Sequence, residues 1–375
     1  MNRPTTLGIL GGGQLAQMMA IAARKLGIKS VAYDPSRDAC AQNHAKLVVG
    51  SYSDTLTLER FADSVDVVTY EFENVPTETV RAIGDARTIH PSPEALRVSS
   101  DRIAEKEFFT KCGVPIGPYR AINGGDSLRK AADELGLPAV LKSCSGGYDG
   151  KGQFLLHTHD ELENALGQIG EAPFIYEAFV PFERELSVIA CRNIFGDIKT
   201  YPISQNTHQH GILVRSEAPA AVSDETQQQA ITIATSIGEA LKYVGVFAIE
   251  LFDVGGKLLA NEMAPRVHNT GHWTTEGAKT SQFENHVRAV SGMELGPTEA
   301  TGHSVMLNII GAMPDADIVD GIPNAHLHDY AKAPRAGRKI GHITINSENA
   351  DECRATAAAI QVRLRNTMPG GGVRP

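Results

Sequence analysis

Apolar and polar positions along residues 5–90 fall into blocks that switch between the strand period and the helix period. Leu7-Gly8-Ile9-Leu10 is a short apolar run, as a strand buried on both faces carries, and it leads into Gly11-Gly12-Gly13. From Gln14 to Leu26 the spacing is helical, with Leu15, Met18, Met19 and Ala22 on one stripe and Gly27 as the stop. Ser30-Val31-Ala32-Tyr33, closed by Asp34-Pro35, is a second strand, and the runs at 46–49 and 65–70 continue the series. Strand–helix alternation with short loops predicts a parallel, doubly wound α/β sheet for residues 1–95, ending near His90-Pro91-Ser92-Pro93.

Residues 96–292 change character. A charged helix spans Asp101 to Cys112, and a strand at Ala139–Lys142 feeds a glycine-rich loop, Gly146 to Gly152. Strand patterns follow at 173–177, 185–192, 245–253 and 257–263, with helical runs at 224–242 and 280–292. This mixture with hairpins predicts an α+β block. Residues 293–375 predict a small β-rich domain with strands at 304–310 and 340–346, and Gly370-Gly371-Gly372 reads as a frayed tail.

The chain has 375 residues, long for one core, so two or three domains are expected. Lys plus Arg total 35 against 44 Asp plus Glu, a net charge of −9, which argues against a protein that grips nucleic acid or an anionic membrane. Five scattered cysteines show no metal-finger spacing, so neither a disulfide framework nor a zinc site is expected. No apolar run approaches a membrane span, and the first residues read as a strand and not as a signal peptide, which predicts a cytoplasmic protein.

Phosphate chemistry is written in several places. Gly11-Gly12-Gly13-Gln14-Leu15-Ala16 fits G-x-G-x-x-G/A between a strand and a helix, and Asp34 follows where a ribose-binding acid belongs. Alone this suggests NAD, but glycine amides and a helix N-terminus favour any anion. A phosphorylated small molecule is the preferred reading, and a ligand-free turn the bland one. Lys142 precedes Ser145-Gly146-Gly147-Tyr148-Asp149-Gly150-Lys151-Gly152-Gln153, a cationic flap suited to polyphosphate, or a hairpin tip without a ligand. It is neither a Walker loop nor part of a protein-kinase set.

Glu250 and Glu262 are acids in apolar strands on either side of Gly255-Gly256. Buried carboxylates need partners, and two across a hairpin would suit Mg²⁺, which shares oxygen ligands with phosphates. A two-residue turn with regular pairing would put Glu262 on the other face, so a β-bulge is expected to bring both acids to one face. Arg266 offers a fork for a planar anion such as bicarbonate, beside His268 and Asn269. Lys332, Arg335, Arg338 and Lys339 form a basic cluster that fits a substrate phosphate or a solvated face equally well. His208 and His210 lack a third ligand for a metal, and a polar loop is the preferred reading there.

Taken together these residues resemble the N5-carboxyaminoimidazole ribonucleotide synthetases, ATP-grasp enzymes of purine synthesis, over nearly the whole chain. The resemblance rests on Gly11–Leu15, Tyr70-Glu71-Phe72-Glu73-Asn74-Val75-Pro76, Gly147–Gln153, Phe182–Ser187, Asn261–Asn269 and Gly337–His342. It implies an ATP-grasp fold with an N-terminal pre-ATP-grasp domain and a small C-terminal domain, and a homodimer. By position it places Arg102, Lys142, Gly147, Tyr148, Asp149, Gly150, Lys151, Gly152, Gln153, Glu177, Val180, Glu185, His208, Asn261 and Glu262 at ATP, and Glu250 and Glu262 at Mg²⁺. It puts Gln14, Leu15, Glu73, Asn74, Tyr148, Asp149 and Asn269 at aminoimidazole ribonucleotide, with Lys332, Arg335, Arg338 and Lys339 nearby. Arg266 and His268 fall at bicarbonate, and Lys142 and Asp149 join them as catalytic candidates. The resemblance also implies that the first-domain glycine loop serves substrate phosphate.

The chain departs from many relatives at Ser143-Cys144-Ser145, where they carry arginine after the lysine, and at Glu177-Ala178-Phe179-Val180, where they read Glu-Lys-x-Val, which puts a lysine contact in doubt. The implied reaction is ATP-dependent carboxylation of the ribonucleotide through carboxyphosphate, with Asp149 or His268 as the open alternatives for proton removal. The rivals are a formate-dependent glycinamide ribonucleotide transformylase, an NAD-dependent dehydrogenase, and an ATP-binding protein without turnover.

Overall fold

The computed structural model describes residues 5–84, 86–146, 152–169 and 173–367. Gly147, Tyr148, Asp149, Gly150 and Lys151 of the expected flap, and the glycines at 370–372, lie outside the described residues.

β1 (Thr6–Leu10), β2 (Lys29–Asp34), β3 (Lys46–Val49) and β4 (Val67–Tyr70) form a parallel sheet in the order β3-β2-β1-β4. Parallel strands need both faces covered. The helix Gln14–Lys25 packs its Leu15, Met19 and Ala23 with Leu7 and Ile9 on one face. The helix Thr55–Asp63 packs Leu58 and Phe61 with Leu10 and Val31 on the other. The doubly wound expectation therefore holds.

β5 (Tyr119–Ile122), β6 (Ala139–Ser143), β7 (Gln153–Leu156) and β8 (Phe174–Ala178) make a small antiparallel sheet in the order β5-β8-β6-β7. The large sheet uses β9 (Arg184–Arg192), β10 (Ile198–Thr200), β11 (Ser204–Gln209), β12 (Ile212–Ala218), β13 (Gly245–Val254), β14 (Lys257–Ala264), β15 (His303–Ile310), β16 (Ala325–Asp329) and β17 (Lys339–Ser347). Their order is β14-β13-β9-β11-β12-β15-β17-β16, with β10 on the far end of β9. The strands of the last segment thus continue the sheet of the middle block. The helix Ala350–Thr367, unexpected from the sequence reading, covers β15 and β17 with Cys353, Ala357, Ile360 and Leu364.

The large sheet has two different faces. Leu186, Val188, Phe247 and Ile249 pack with the helix Asp224–Ala240. On the other face Ile189, Cys191, Val246 and Ala248 lie under the helix Gln282–Val290, which also meets the helix Gln14–Lys25. His286 ties the two sheets together, its Nδ1 accepting from the Val246 amide at 3.0 Å and its Nε2 meeting Thr69 Oγ1 at 2.7 Å. Farther along the same face polar side chains enter: Glu250 pairs with Ser187, and Glu185 pairs with Phe252. The candidate site grows from that end.

Burial holds four histidines neutral: it pushes His272 and His286 down to about 3, and His268 and His342 well below the ordinary range. The unfolded chain takes up these protons near the ordinary 6.5, so stability is full above that pH and falls below it, by about 1.4 kcal/mol per histidine per pH unit. The urea midpoint is expected to drop steeply from roughly pH 7 to pH 5, and a midpoint that stays level over that interval would contradict the burial of neutral rings.

Candidate active site

The acid pair is built by a hairpin defect. Gly255 and Gly256, both at positive φ (59° and 85°), make the two-residue turn between Val254 and Lys257. Leu251 pairs with Ala260, but Glu250 pairs with Glu262, so Asn261 is the extra residue of a β-bulge. This is the irregularity expected from the sequence, and it puts both carboxylates on one face. The bulge is held from outside by the helix Arg102–Lys111. Lys106 Nζ donates to the Asn261 carbonyl at 2.7 Å, Glu105 accepts from the Met263 amide at 2.7 Å, and Arg102 Nη1 donates to Glu262 at 2.9 Å.

The two acids differ in surroundings. Burial and the neighbouring Glu262 raise Glu250 to about 7, whereas Arg102 and Lys142 outweigh burial and hold Glu262 below the ordinary range. Glu262 still exposes 39% of its side chain to the cleft. Two facing carboxylates, one of them kept high by the other's charge, fit a divalent cation. Among the described residues no cluster of three or more His, Cys, Asp or Glu forms a complete metal cage. A pair of carboxylates suits a cation such as Mg²⁺ that takes one or two of them and completes its shell with water and phosphate.

Behind the cleft, Glu177 on β8 binds both Lys142 and Lys106, the latter at 2.9 Å. Despite burial, the two ammonium groups hold its carboxyl down at about 2. Removing one member of a buried ion cluster strands the others, so Glu177→Gln is expected to cost about 3–5 kcal/mol in urea unfolding. The native Glu177 contribution is complete above the ordinary 4.5 and is lost as pH falls toward 2. The variant should lack that part of the acid limb, and an unchanged limb would contradict the assignment.

At the next position along the face, Arg266 pairs with Glu73 at 2.9 Å, joining the loop after β4 to the end of β14. His268 Nε2 lies 3.7 Å from Glu250. Its Nδ1 accepts from the Thr270 amide at 3.4 Å and meets Thr270 Oγ1 at 2.8 Å, so the ring proton sits on Nε2, toward the cleft. A neutral ring with its free nitrogen already protonated is a hydrogen-bond donor, which disfavours His268 as the base. Asn269 exchanges two amide bonds with Asn308 of β15, at 3.1 and 2.6 Å. His208 lies on β11, not in a polar loop, and its Nδ1 meets Glu185 at 2.8 Å. His210 sits at the β11–β12 turn with φ 50°.

In the first-domain glycine loop two amides are met by side chains of the protein: Asp34 accepts from the Gly12 amide at 2.8 Å, and Glu71 accepts from the Ala16 amide at 2.8 Å. A Cβ on Gly13 would lie 2.1 Å from Glu71 Oε1, so this glycine makes room for a side chain of the protein. Asp34 is therefore a loop cap and not a ribose ligand. That removes the structural basis for a dinucleotide. Cationic anion receptors stand beside the loop: Lys332, which bonds Gln14, with Arg335 and Arg338 on the same segment.

One cleft of about 1300 Å³ collects this set. It is lined by Gln14, Leu15, Glu73, Asn74, Arg102, Lys142, Gln153, Glu185, His208, Glu250, Asn261, Glu262, Arg266, His268, Asn269, Lys332, Arg335, Arg338 and Lys339. Of the described candidates, Gly152, Glu177 and Val180 are not part of the lining. The sequence reading missed Glu105, Lys106 and Glu71. A signal for the first two was available, since Arg102, Glu105 and Lys106 share one face of a helix at i, i+3, i+4.

A small antiparallel sheet facing a large one across a cleft with paired acids defines an ATP-grasp protein, and the comparisons agree. Family models match for a ribonucleotide synthetase preATP-grasp domain at residues 4–100, an ATP-grasp domain at 107–283, and a phosphoribosylaminoimidazole carboxylase C-terminal domain at 304–356. The chain is 43% identical over 358 residues to the N5-carboxyaminoimidazole ribonucleotide synthase of Pseudomonas aeruginosa, covering 96% of this chain and 99% of that one. It is 38% identical over 353 residues to the Bacillus subtilis protein of the same name, covering 92% of each. The structure superposes on the Thermus thermophilus synthetase with a TM-score of 0.92 at 46% identity, covering 97% of this chain and 99% of that one. An Aspergillus clavatus synthase in complex with ADP and 5-aminoimidazole ribonucleotide gives 0.91 at 32%, covering 98% and 100%. The chain belongs to the N5-carboxyaminoimidazole ribonucleotide synthase family.

Proposed function

We propose that the protein is a ligase that carboxylates 5-aminoimidazole ribonucleotide with bicarbonate at the expense of ATP, forming a carbon–nitrogen bond in purine synthesis. The observation that carries this reading is the single cleft that joins the Glu250–Glu262 pair to Arg266, His268 and the basic loop 332–339.

A bicarbonate oxygen attacks the γ-phosphorus of ATP, the bond to ADP breaks, and carboxyphosphate forms. The exocyclic amine of the ribonucleotide then bonds to the carboxyl carbon, directly or through released CO₂, as the carbon–oxygen bond to phosphate breaks and the amine loses a proton. Arg266, steadied by Glu73, holds the planar anion, and the Nε2–H of His268 donates to it. Lys142 and Arg102 add positive charge on the nucleotide side. Mg²⁺ held by Glu250 and Glu262 would supply charge neutralisation to the transferring phosphoryl group. Lys332, Arg335, Arg338 and Lys339 receive the ribonucleotide phosphate, with Gln14, Leu15, Glu73, Asn74 and Asn269 around it. The resemblance assigns Tyr148 and Asp149 to the ribonucleotide as well, with Asp149 as the candidate base.

The division at 95/96 and 292/293, a homodimer and a cytoplasmic location complete the proposal. Among the described residues no helix is long and apolar enough to cross a membrane. ADP release measured while ATP, bicarbonate and the ribonucleotide are omitted in turn tests the reading. It requires dependence on the ribonucleotide. Stimulation instead by glycinamide ribonucleotide plus formate would assign the transformylase activity.

A further inference from the structure

We propose that Gln282, His272, His342 and Tyr330 form a buried bridge that positions His268 relative to Lys332, so that the acyl-phosphate end and the ribonucleotide end of the cleft stay in register. This rests on the assignment of those two ends above.

The bridge starts at the backbone of His268. Gln282, the first residue of the helix Gln282–Val290, clamps it on both sides: Oε1 accepts from the His268 amide at 2.9 Å and Nε2 donates to the His268 carbonyl at 2.6 Å. The amide N–H of His268 can only donate, so it fixes which end of the Gln282 side chain is oxygen. The clamp is itself held, because the Gln282 amide donates to Thr274 Oγ1 at 2.9 Å. It also requires close approach: a Cβ on Gly271 would lie 2.6 Å from Gln282 Oε1.

Gln282 Nε2 reaches His272 Nδ1 at 3.2 Å, which makes that nitrogen an acceptor and places the His272 proton on Nε2. The His272 ring lies 5.0 Å from the ring of His342. His342 Nδ1 meets the Tyr330 hydroxyl at 2.7 Å. The Tyr330 ring lies 5.7 Å from Lys332 Nζ, and Lys332 bonds Gln14. His328 stacks on the outer face of His342 at 4.3 Å and is tied by its Nε2 to Glu276 at 2.8 Å, which keeps His342 from turning.

Gln282, His272 and His342 are fully buried and Tyr330 nearly so. Their Nε2 atoms leave His272 and His342 short of a partner among the described residues. Burying polar rings in this way costs more than an apolar core of the same shape, and what it provides is fixed orientation. The two segments so joined, 266–272 and 329–339, carry Arg266 and His268 on one side and the basic loop on the other.

The test compares Gln282→Leu and Tyr330→Phe with the wild type in the full chain. The measured quantity is ¹⁴C-carboxylated ribonucleotide formed per ADP released, alongside ADP binding. A bridge that keeps the two ends in register predicts that this ratio falls roughly three- to tenfold, the size such couplings carry. ADP binding should stay as in the wild type, because carboxyphosphate still forms but is lost to water. A merely structural role would lower product and ADP together and leave the ratio unchanged, and that result overturns the bridge. Tyr330→Phe removes a single oxygen and decides the matter alone if Gln282→Leu fails to fold. A wild type that carboxylates no ribonucleotide overturns the functional reading and the bridge with it. A coupled wild type with unmoved variants overturns the bridge only.

Discussion

Arg266→Ala is expected to lower turnover by roughly two to three orders of magnitude, the cost of removing a preorganised donor from a developing oxyanion. ADP affinity should change by less than about threefold, because the nucleotide contacts assigned to Arg102 and Lys142 are untouched. The side chain has two tasks. It presents a planar fork to bicarbonate and its phosphorylated form, and it holds Glu73 at 2.9 Å, which fixes the 71–76 loop beside the cleft. Arg266→Lys keeps the charge but loses the fork, and should recover little of the loss. Steady-state ADP release with titrated ADP binding separates the effects. Equal losses in turnover and nucleotide affinity would remove Arg266 from the acyl-phosphate step.

Glu250→Gln is expected to be as severe, lowering ATP turnover by about three orders of magnitude through loss of several kcal/mol of charge stabilisation. The fold should not suffer, since Glu250 is raised to about 7 by burial and by Glu262, and an amide relieves that conflict. Glu262→Gln differs, because it also leaves Arg102 without its partner at 2.9 Å and should lose stability as well. The decisive readout is ADP binding with and without Mg²⁺. The wild type should bind ADP more tightly with the metal, and Glu250→Gln should show little difference between the two conditions. A variant that keeps the full magnesium effect would place the metal elsewhere.

Much of this architecture is legible in the sequence because the relevant signals are local. The run Leu7–Leu10, the helical stripe after Gln14 and the two acid-bearing strands around Gly255-Gly256 each carry their own period or turn. The bulge followed from chemistry, since two acids in apolar strands make sense only on one face. The strand Ser204–Gln209 carries no such local signal. It is polar throughout, and its inward Asn206 is paid for by Ser187 and Ser216 at 2.7 and 2.8 Å, partners that only the folded sheet supplies. The C-terminal helix is different again. Cys353, Ala357, Ile360 and Leu364 do repeat at helical spacing, but two of the four are small side chains, so the stripe is weak in the sequence.

The glycine loop shows how a local motif is overruled by distant residues. Gly11–Ala16 has the pattern of an anion cradle, yet Asp34 and Glu71 take its Gly12 and Ala16 amides, and Glu71 comes from a loop more than fifty residues away. The buried charges of Glu105 and Lys106 were hidden for a related reason. A charged helix of ordinary composition reads as solvated until an edge strand with a bulge is found against it.

Phosphoryl transfer to bicarbonate is the central step of the proposed reaction. The most direct measurement uses ¹⁸O-labelled bicarbonate with Mg-ATP and 5-aminoimidazole ribonucleotide, and examines the inorganic phosphate released. Attack by a bicarbonate oxygen on the γ-phosphorus predicts that each phosphate carries one labelled oxygen, whether the amine captures carboxyphosphate directly or takes up released CO₂. Unlabelled phosphate, formed while carboxylated ribonucleotide accumulates, would contradict it.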